Sequence, residues 1–475
     1  MRVVIHADAS PLIGIGHVVR CLALASALRS DGAEVTLASE EMVDALRPRA
    51  ARLGVSMVPR HRAPRSADWV VFDGYDLDAH ARSGLTPPAA RTLIIDDLGA
   101  ESGDAAAVIN QNLYASPAGP TVPAGETELL AGPAYALLRP EFAALKPDRA
   151  QPNRADRILV TMGGADPGNA TAAVIAALTD LEPAPRVRIV IGAAHASIAA
   201  TEQLAGAEGF SVIRDAESLA THLGWSDLVI SGCGTSVLEA ARAGRPIVGI
   251  VLAENQRAVG AALERQGLGV IAGTHPGLSA ANLADTIVRA RSDRAWREGV
   301  ETRGPTLVDG AGASRVARVM QTGPLRLRSA TMDDAELLLE WRNEPAARDA
   351  SFDPRPIDTV THRDWLTRQL GSPAARIWIG LVDDASVGSV RFAIEGSAAT
   401  ISVAIAAQRR SAGIGTRLIS MGCTRLATEG DVRAVDAWIR RENAASEIAF
   451  RRACFLQAED LDDRRRYRLA LETMG

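Results

Sequence analysis

The stretch IGIGHVVRCLALASAL, residues 13–28, places two glycines, a histidine and an arginine directly after a short apolar run, RVVIHA at residues 2–7. The apolar run reads as a buried first strand, and the residues from about His17 to Arg29 read as a helix. A glycine loop between them lets the backbone turn tightly and lets a ligand approach peptide N–H groups. The helix that starts there aims free N–H groups and a partial positive charge at the same spot. A diphosphate fits such a place, with Asp8, Gly14, Gly16 and Arg20 beside it. An imidazole such as that of His17 can take a proton from water or a hydroxyl. A capping or packing histidine is the other reading of that position.

The alternation continues outward from this stretch. AEVTLAS (33–39), WVVFDGY (69–75) and TLIIDD (92–97) are further short apolar runs, separated by helical stretches. This pattern predicts βαβ units and a parallel sheet. Asp73, Asp96 and Asp97 close two of these runs, where open parallel sheets bind ligands; turn formation or helix capping is the alternative. A Pro- and Arg-rich stretch, LKPDRAQPNRADR (145–157), predicts a linker, after which the pattern restarts. RILVTMGGADPGNATAAVIAAL (157–178) is strand, glycine turn and helix, with Gly163 and Gly164 in the turn and Asp166 and Asn169 as caps. In DLVISGCGTSVLEAARAG (227–244), the N–H groups of Gly234, Thr235 and Ser236 and two hydroxyls suit a diphosphate. Glu239, one turn into the following helix, suits the two hydroxyls of a ribose, and AENQ supplies the amides of Asn255 and Gln256 at the same sheet edge.

Near residue 324 the texture changes to a strand, a helix and then antiparallel-type strands: IWIGLVDD, SVGSVRFAIE and ATISVAIAA. The predicted fold class is α/β: two Rossmann-like domains, residues 1–150 and 151–322, followed by an α+β domain, residues 324–475. In the last unit ISVAIAAQRRSAGIGTRLIS (401–420) sets Arg410-x-x-Gly413-x-Gly415 between a strand and a helix. Its loop N–H groups, from Ser411 and Ala412 through Ile414 and Thr416, can cradle a pyrophosphate.

Composition narrows the chemistry. The 475 residues carry a net charge of −5 and only 4% aromatics, which argues against a nucleic-acid partner. Lys146 is the only lysine, so no GK[ST] phosphate loop exists. Cys21, Cys233, Cys423 and Cys454 form no C-x-x-C pair and no Cys/His cluster, so no metal is expected. No apolar run reaches membrane-spanning length and the N-terminal run is too short for a signal peptide. A soluble cytoplasmic protein with no membrane partner is expected.

The stretches ADASPLIGIGHVVRCLALA, FDGYDLD, LIIDDL, INQN, GPAYALLRPEF, MGGADPGN, SGCGTSVLEAARAGRPIV, AENQ and LVDGAGASRVA run in order through the first 320 residues. In them the chain resembles the UDP-sugar hydrolases of pseudaminic-acid biosynthesis, which have the two-domain glycosyltransferase-B fold. The resemblance implies release of UDP from a UDP-linked diacetamido-trideoxy-hexose, with inversion at the anomeric carbon and without a metal. It carries over His17 as the residue that activates water, Tyr75 as the aromatic near the sugar, Asn255 as a cleft amide and Glu239 as the ribose ligand. Cys233 and Gly74 depart from the residues commoner in that family. The third unit looks like a GCN5-related N-acetyltransferase. That resemblance implies acetyl-CoA as cofactor, Ala407 on the strand side and the 410–416 loop on its pyrophosphate, and Asn443 as a further contact. EWRNE (340–344) and THRDWL (361–366) resemble the subgroup that acylates amino sugars. Phe450 stands where that family commonly has the tyrosine that protonates the departing thiolate, and Tyr467 is the unit's only tyrosine. The two resemblances together imply a UDP-amino-sugar and acetyl-CoA as partners. A UDP-sugar glycosyltransferase with an appended acyltransferase, and a nucleotide-sugar-binding protein without catalysis, are the alternatives.

Overall fold

The computed structural model describes residues 1–8, 15–40, 46–74, 77–97, 99, 105–119, 126–145, 151–166, 168–192, 195 and 197–471. Gly14 and Tyr75 among the expected site residues, and Lys146, lie outside the described residues.

Among the described residues, twenty strands fall into three sheets. The first contains β1 (Arg2–Ala7), β2 (Glu34–Ser39), β3 (Ser56–Pro59), β4 (Trp69–Asp73), β5 (Arg91–Ile95), β6 (Ala107–Asn110) and β7 (Glu128–Ala131). Its order is β3-β2-β1-β4-β5-β6-β7, every pair parallel. The second contains β8 (Arg157–Thr161), β9 (Arg186–Ile191), β10 (Ser211–Arg214), β11 (Leu228–Gly232), β12 (Ile247–Val251) and β13 (Gly269–Thr274). Its order is β10-β9-β8-β11-β12-β13, again parallel throughout. Both are doubly wound: the chain runs outward from one central strand, then returns and builds on its other side. The reversal lies between β1 and β4 in one sheet and between β8 and β11 in the other. At such a point the loops after adjacent strands leave in opposite directions and open a crevice at the strand C-termini.

Burial explains the strands' composition. β4 and β12 are buried along their whole length, as expected of a sheet covered on both faces. The helix Gly16–Ser30 is nearly as apolar, with Val18, Cys21, Leu22, Leu24, Ala25 and Leu28 in the first core.

The short strands β3, β6 and β7 carry too little pattern to be read from sequence, at four residues each. The helix Gly312–Thr322 also differs from the simplest division of the chain. Ala313, Val316, Ala317, Val319 and Met320 pack in the first sheet's core, and Trp69 Nε1 donates to the Met320 carbonyl at 2.8 Å. A Cβ on Gly312 would stand 2.3 Å from the Ala136 carbonyl oxygen, so only glycine permits this close return.

The third sheet contains β14 (Leu325–Ser329), β15 (Ala375–Val382), β16 (Ala385–Glu395), β17 (Ala398–Ile405), β18 (Ala434–Arg440), β19 (Leu456–Asp460) and β20 (Arg464–Ala470). Its order is β14-β15-β16-β17-β18-β20-β19, antiparallel except for β17 with β18. The helix Ile414–Thr428 covers one face of this sheet and packs against β7 of the first. That junction holds a buried ion pair: Arg417 donates to both carboxylate oxygens of Glu128, at 2.5 and 2.6 Å. The Leu325 N–H adds a third bond to Glu128, at 2.7 Å.

Candidate functional site

The crevice of the first sheet is built by β1, β4 and the helix Gly16–Ser30. β1 and β4 pair in register up to Ala7 and Asp73, so Asp73 ends its strand level with the end of β1. His17 Nδ1–H donates to Asp73 Oδ1 at 2.6 Å. Arg20, one turn later, grips the same carboxylate through Nε at 2.7 Å and Nη2 at 2.6 Å, and reaches Asp97 Oδ2 at 2.6 Å through Nη1. Asn112 Nδ2 donates to the other Asp97 oxygen at 2.9 Å. Asp73 is fully buried, and His17 and Arg20 are nearly so.

Burial opposes a charge on Asp73. The Arg20 guanidinium and the hydrogen bonds from Arg20 and His17 outweigh it and hold the carboxyl well below the usual carboxylate range. Asp73 is therefore an anion. An anion facing Nδ1 places the ring proton there and leaves the lone pair on Nε2. A histidine held in that tautomer can accept a proton through Nε2.

The opposite wall comes from the second sheet. Gly16, Val19 and Arg20 line a cavity together with Arg139, Thr235, Leu238 and Glu239, so the two halves share one crevice. A larger cavity of about 590 Å³ adjoins it at Arg139 and runs between Leu22, Ala23 and Arg49 on one side and Glu217, Ser218 and His222 on the other. In the loop after β11, Ser231 and Ser236 share a hydrogen bond at 2.9 Å, and Gln256 Oε1 accepts from the Leu252 N–H at 3.0 Å. A Cβ on Gly234 would meet only Gln256 Nε2, at 3.9 Å, and Thr235 and Asn255 are exposed. In the loop after β8, Gly163 has φ +86 and open space around it, and Gly164 faces Ile15 across the crevice.

Two expected residues have other partners. Asp8 is held by Ser39, Glu40 and Arg60, on the β2 side and apart from the His17 network. Glu239 accepts from Arg139 Nη2 at 2.8 Å, so one carboxylate oxygen is already engaged across the crevice. Burial pushes the Glu239 pKa up, against the pull of Arg139.

Sequence reasoning offered Asp73 and Asp97 only as strand-end acids and passed over Arg139. The signal for Asp73 was its place at the end of a strand that sits next to β1. That neighbourhood becomes visible only once the strand order is known. Arg139 lies in GPAYALLRPEF, a stretch whose position opposite Glu239 has no local signature.

In the third sheet, β17 and β18 pair only from Ala398–Thr400 to Ala434–Asp436. Beyond Thr400 they part, while β16 continues to pair with β17 as far as Ile405. The open end of this gap leads to the turn before the helix Ile414–Thr428. Ser411 and Gly413 have positive φ, at 59° and 82°, and no side chain caps the helix. A Cβ on Gly413 would meet nothing within 4 Å, and one on Gly415 nothing nearer than 3.9 Å. The first-turn N–H groups thus face open space, the arrangement an anion needs. Ile414 and Thr416 are buried, Ala407 is exposed, and Arg410 is paired with Glu344. Asn443 caps the helix Ala444–Arg452 through a bond from the Ser446 N–H at 3.1 Å. Phe450 packs edge-on against Phe455. Tyr467 is fully buried beneath that helix, with Arg451 donating to its hydroxyl at 3.1 Å.

The third unit is a GNAT acetyltransferase domain: residues 324–455 match the family described as Acetyltransferase (GNAT) domain. Over about two thirds of its length the chain is similar to the spore coat polysaccharide biosynthesis protein SpsG of Bacillus subtilis (strain 168). The two are 24% identical over 334 residues, which cover 68% of this chain and 98% of that protein. An uncharacterized protein of Methanocaldococcus jannaschii is 22% identical over 275 residues, 54% of this chain and 57% of its own length. Among solved structures, spermidine N-acetyltransferase from Vibrio cholerae, in complex with CoA and spermine, matches at 14% identity. It covers 31% of this chain and 95% of its own, with a TM-score of 0.29. Among the described residues no group of His, Cys, Asp and Glu could hold a metal ion, and no helix is long and apolar enough to cross a membrane.

Proposed function

We propose that this chain is a bifunctional nucleotide-sugar enzyme. Its first two units, residues 1–150 and 151–322 with the last helix packed into the first core, form a glycosyltransferase-B type pair that hydrolyses a UDP-linked diacetamido-trideoxy-hexose. Its third unit, residues 324–475, acetylates the amine of a UDP-4-amino-sugar. The setting is pseudaminic or related nonulosonic acid biosynthesis in the cytoplasm. The similarity to a polysaccharide biosynthesis protein over 68% of the chain is in keeping with that setting.

One observation carries the hydrolase reading. The Asp73-oriented His17 opens the helix whose Gly16 and Arg20 line the same cavity as Thr235 and Glu239. In this reading the diphosphate lies on the N–H groups of Gly234–Ser236 and the Gly163–Gly164 turn, and the ribose meets Glu239. Asn255 and Gln256 flank the sugar. His17 Nε2 takes a proton from water as the water oxygen bonds to C1. The C1–O bond breaks, and UDP leaves with the electron pair, its charge met by helix-terminal N–H groups. Asp73 stabilises the imidazolium that forms.

The acyltransferase reading rests on the family match together with the gap between β17 and β18 and the uncapped glycine turn beyond it. The residues of that turn fit the pyrophosphate of acetyl-CoA, which supplies the acetyl group as a thioester. Ala407 and the free edge of β17 face its acyl arm, and Arg410–Thr416 hold its phosphates once Arg410 leaves Glu344. A neutral amine then bonds to the thioester carbonyl carbon and the C–S bond breaks. Orientation provides most of the rate. With Phe450 in the phenol's place and Tyr467 buried, water takes the proton that the amine nitrogen loses and protonates the thiolate.

The test is UDP release from a UDP-diacetamido-sugar by the full chain, with no acceptor present. Wild type releases UDP, and His17→Ala lowers the rate by roughly 10²–10⁴-fold while acetyl transfer is unchanged. Absence of UDP release by the wild type overturns the hydrolase assignment.

A further inference from the structure

Strand alternation sorts the side chains of the third sheet onto two faces. Val390 and Phe392 of β16 join the core under the helix Ile414–Thr428, so Arg391 between them points to the opposite face. There it lies over the ring of Trp365 at 5.2 Å and donates to Ser402 Oγ at 3.3 Å. Ser402 is its partner in register and belongs to the part of β17 from which β18 has already separated. Arg391 therefore stands beside the gap in which the acyl group must meet its acceptor.

Arg342, on the neighbouring helix Ala335–Asn343, is close enough to act on Arg391 electrostatically. Burial and then the Arg342 charge both lower the Arg391 pKa. Among the described residues neither arginine has a carboxylate within 4.0 Å, although most arginines nearby do. Arg468 is paired with Asp436 at 2.6 Å, Arg466 with Glu459 at 3.3 Å, and Arg410 with Glu344. Asp353, the acid near Arg342, is held by Arg355 at 2.7 Å. Arg342 Nη2 reaches only the Asp353 backbone carbonyl, at 2.7 Å, and its Nη1 is buried without a hydrogen-bond partner. Two like charges in a partly desolvated place are unfavourable until an anion joins them. A guanidinium over an aromatic ring still has N–H groups to offer phosphate oxygens.

We infer that Arg391 and Arg342, with Trp365 as platform, form a phosphate subsite for the acyl acceptor, so that the amine is acetylated while still joined to a diphosphate. The inference rests on the acyltransferase reading and adds the feature that selects the acceptor. The same charge disfavours polycationic amines. It also sets an order: the unit that acetylates acts upstream of any step that severs the sugar from its diphosphate.

The test compares acetyl transfer by the full chain to a UDP-linked 4-amino-sugar, to the same sugar without UDP, and to spermidine. In the wild type the UDP-linked amine has the lowest KM. Arg391→Gln raises that KM roughly 10- to 100-fold, leaves the free sugar's KM and that of acetyl-CoA unchanged, and Arg391→Lys recovers part of the loss. Equal effects on linked and free sugar overturn the subsite. A raised KM for acetyl-CoA overturns it as well, because the arginines then serve the phosphates of CoA. A second measurement needs neither turnover nor a variant. Phenylglyoxal labelling of the wild-type chain, mapped by mass, is slowed at Arg391 by UDP and by inorganic pyrophosphate. No protection by either overturns the inference. Protection in a chain that acetylates no amine leaves the phosphate subsite standing and overturns the acyltransferase reading instead.

Discussion

Arg20 and Arg417 occupy equivalent places in two unrelated sheets. Each lies one turn into a helix opened by a glycine, Gly16 in one case and Gly413 in the other. Each is buried and grips both oxygens of a buried carboxylate, Asp73 or Glu128. Their surroundings differ. Asp73 also receives His17, on the helix whose Gly16, Val19 and Arg20 line a cavity shared with the second sheet. Glu128 receives the Leu325 N–H, and Arg417 also donates to the Gly323 carbonyl, so that pair joins two units, with the buried Tyr135 as its titratable neighbour. The comparison teaches that a buried arginine–carboxylate pair is neutral as to purpose. What it holds in place decides whether it serves chemistry or assembly. The two helix starts differ as well: the first presents a histidine bonded to a buried carboxylate, and the second is a glycine turn with no side-chain cap.

The comparison can be broken at three points. Asp73→Asn keeps the shape but loses the anion that fixes the His17 tautomer. UDP release is expected to fall by about 10³–10⁴-fold, with acetyl transfer by the same preparation unchanged; a drop in both would make Asp73 structural. Glu128→Ala leaves the Arg417 guanidinium buried and unpaired. Urea unfolding of the full chain should show a loss of about 3–5 kcal/mol, and an effect below about 1 kcal/mol would mean that the junction is wet or loosely held.

The third point is His6, on β1 between the two designs: buried, but bonded to neither network. It stacks on Phe72 at 5.3 Å. Burial first, and then Arg60, lower its pKa to about 4. Between about pH 6.5 and 4 the unfolded chain binds this proton and the folded chain does not, so stability falls as pH falls through that window, by roughly 3 kcal/mol in full. His6→Phe should flatten that limb of the pH–stability profile. The Asp73 pKa is shifted in the same direction, downward, but from the lower starting value of a carboxyl. Its depressed pKa contributes stability that is present above about pH 4 and is lost at lower pH, so the two groups separate along the pH axis.

Much of the fold was legible because its strongest elements are also its most periodic. RVVIHA, TLIIDD and DLVISG are apolar enough to be strands buried on both faces, and the structure has strands there. The glycine turns before Gly16–Ser30 and Ile414–Thr428 were legible for a local reason, since a strand–glycine–helix succession is written in adjacent residues. Strands β3, β6 and β7 were not, because four residues give no period to read. The return of Gly312–Thr322 to the first core was also hidden, because its amphipathic pattern states that one face must be covered without naming the partner.

The sequence by itself determined the class of each unit and the positions of His17, Glu239 and the 410–416 loop, because propensity, glycine conformational freedom and alternation act between near neighbours. Only the tertiary structure decided that Asp73 orients His17, that Arg139 reaches Glu239, that Glu128 holds Arg417, and that Arg391 and Arg342 lie within electrostatic reach of one another. Those partners are 56, 100, 289 and 49 positions apart in the chain. Contacts at such separations follow from strand order and sheet packing, which no local pattern encodes.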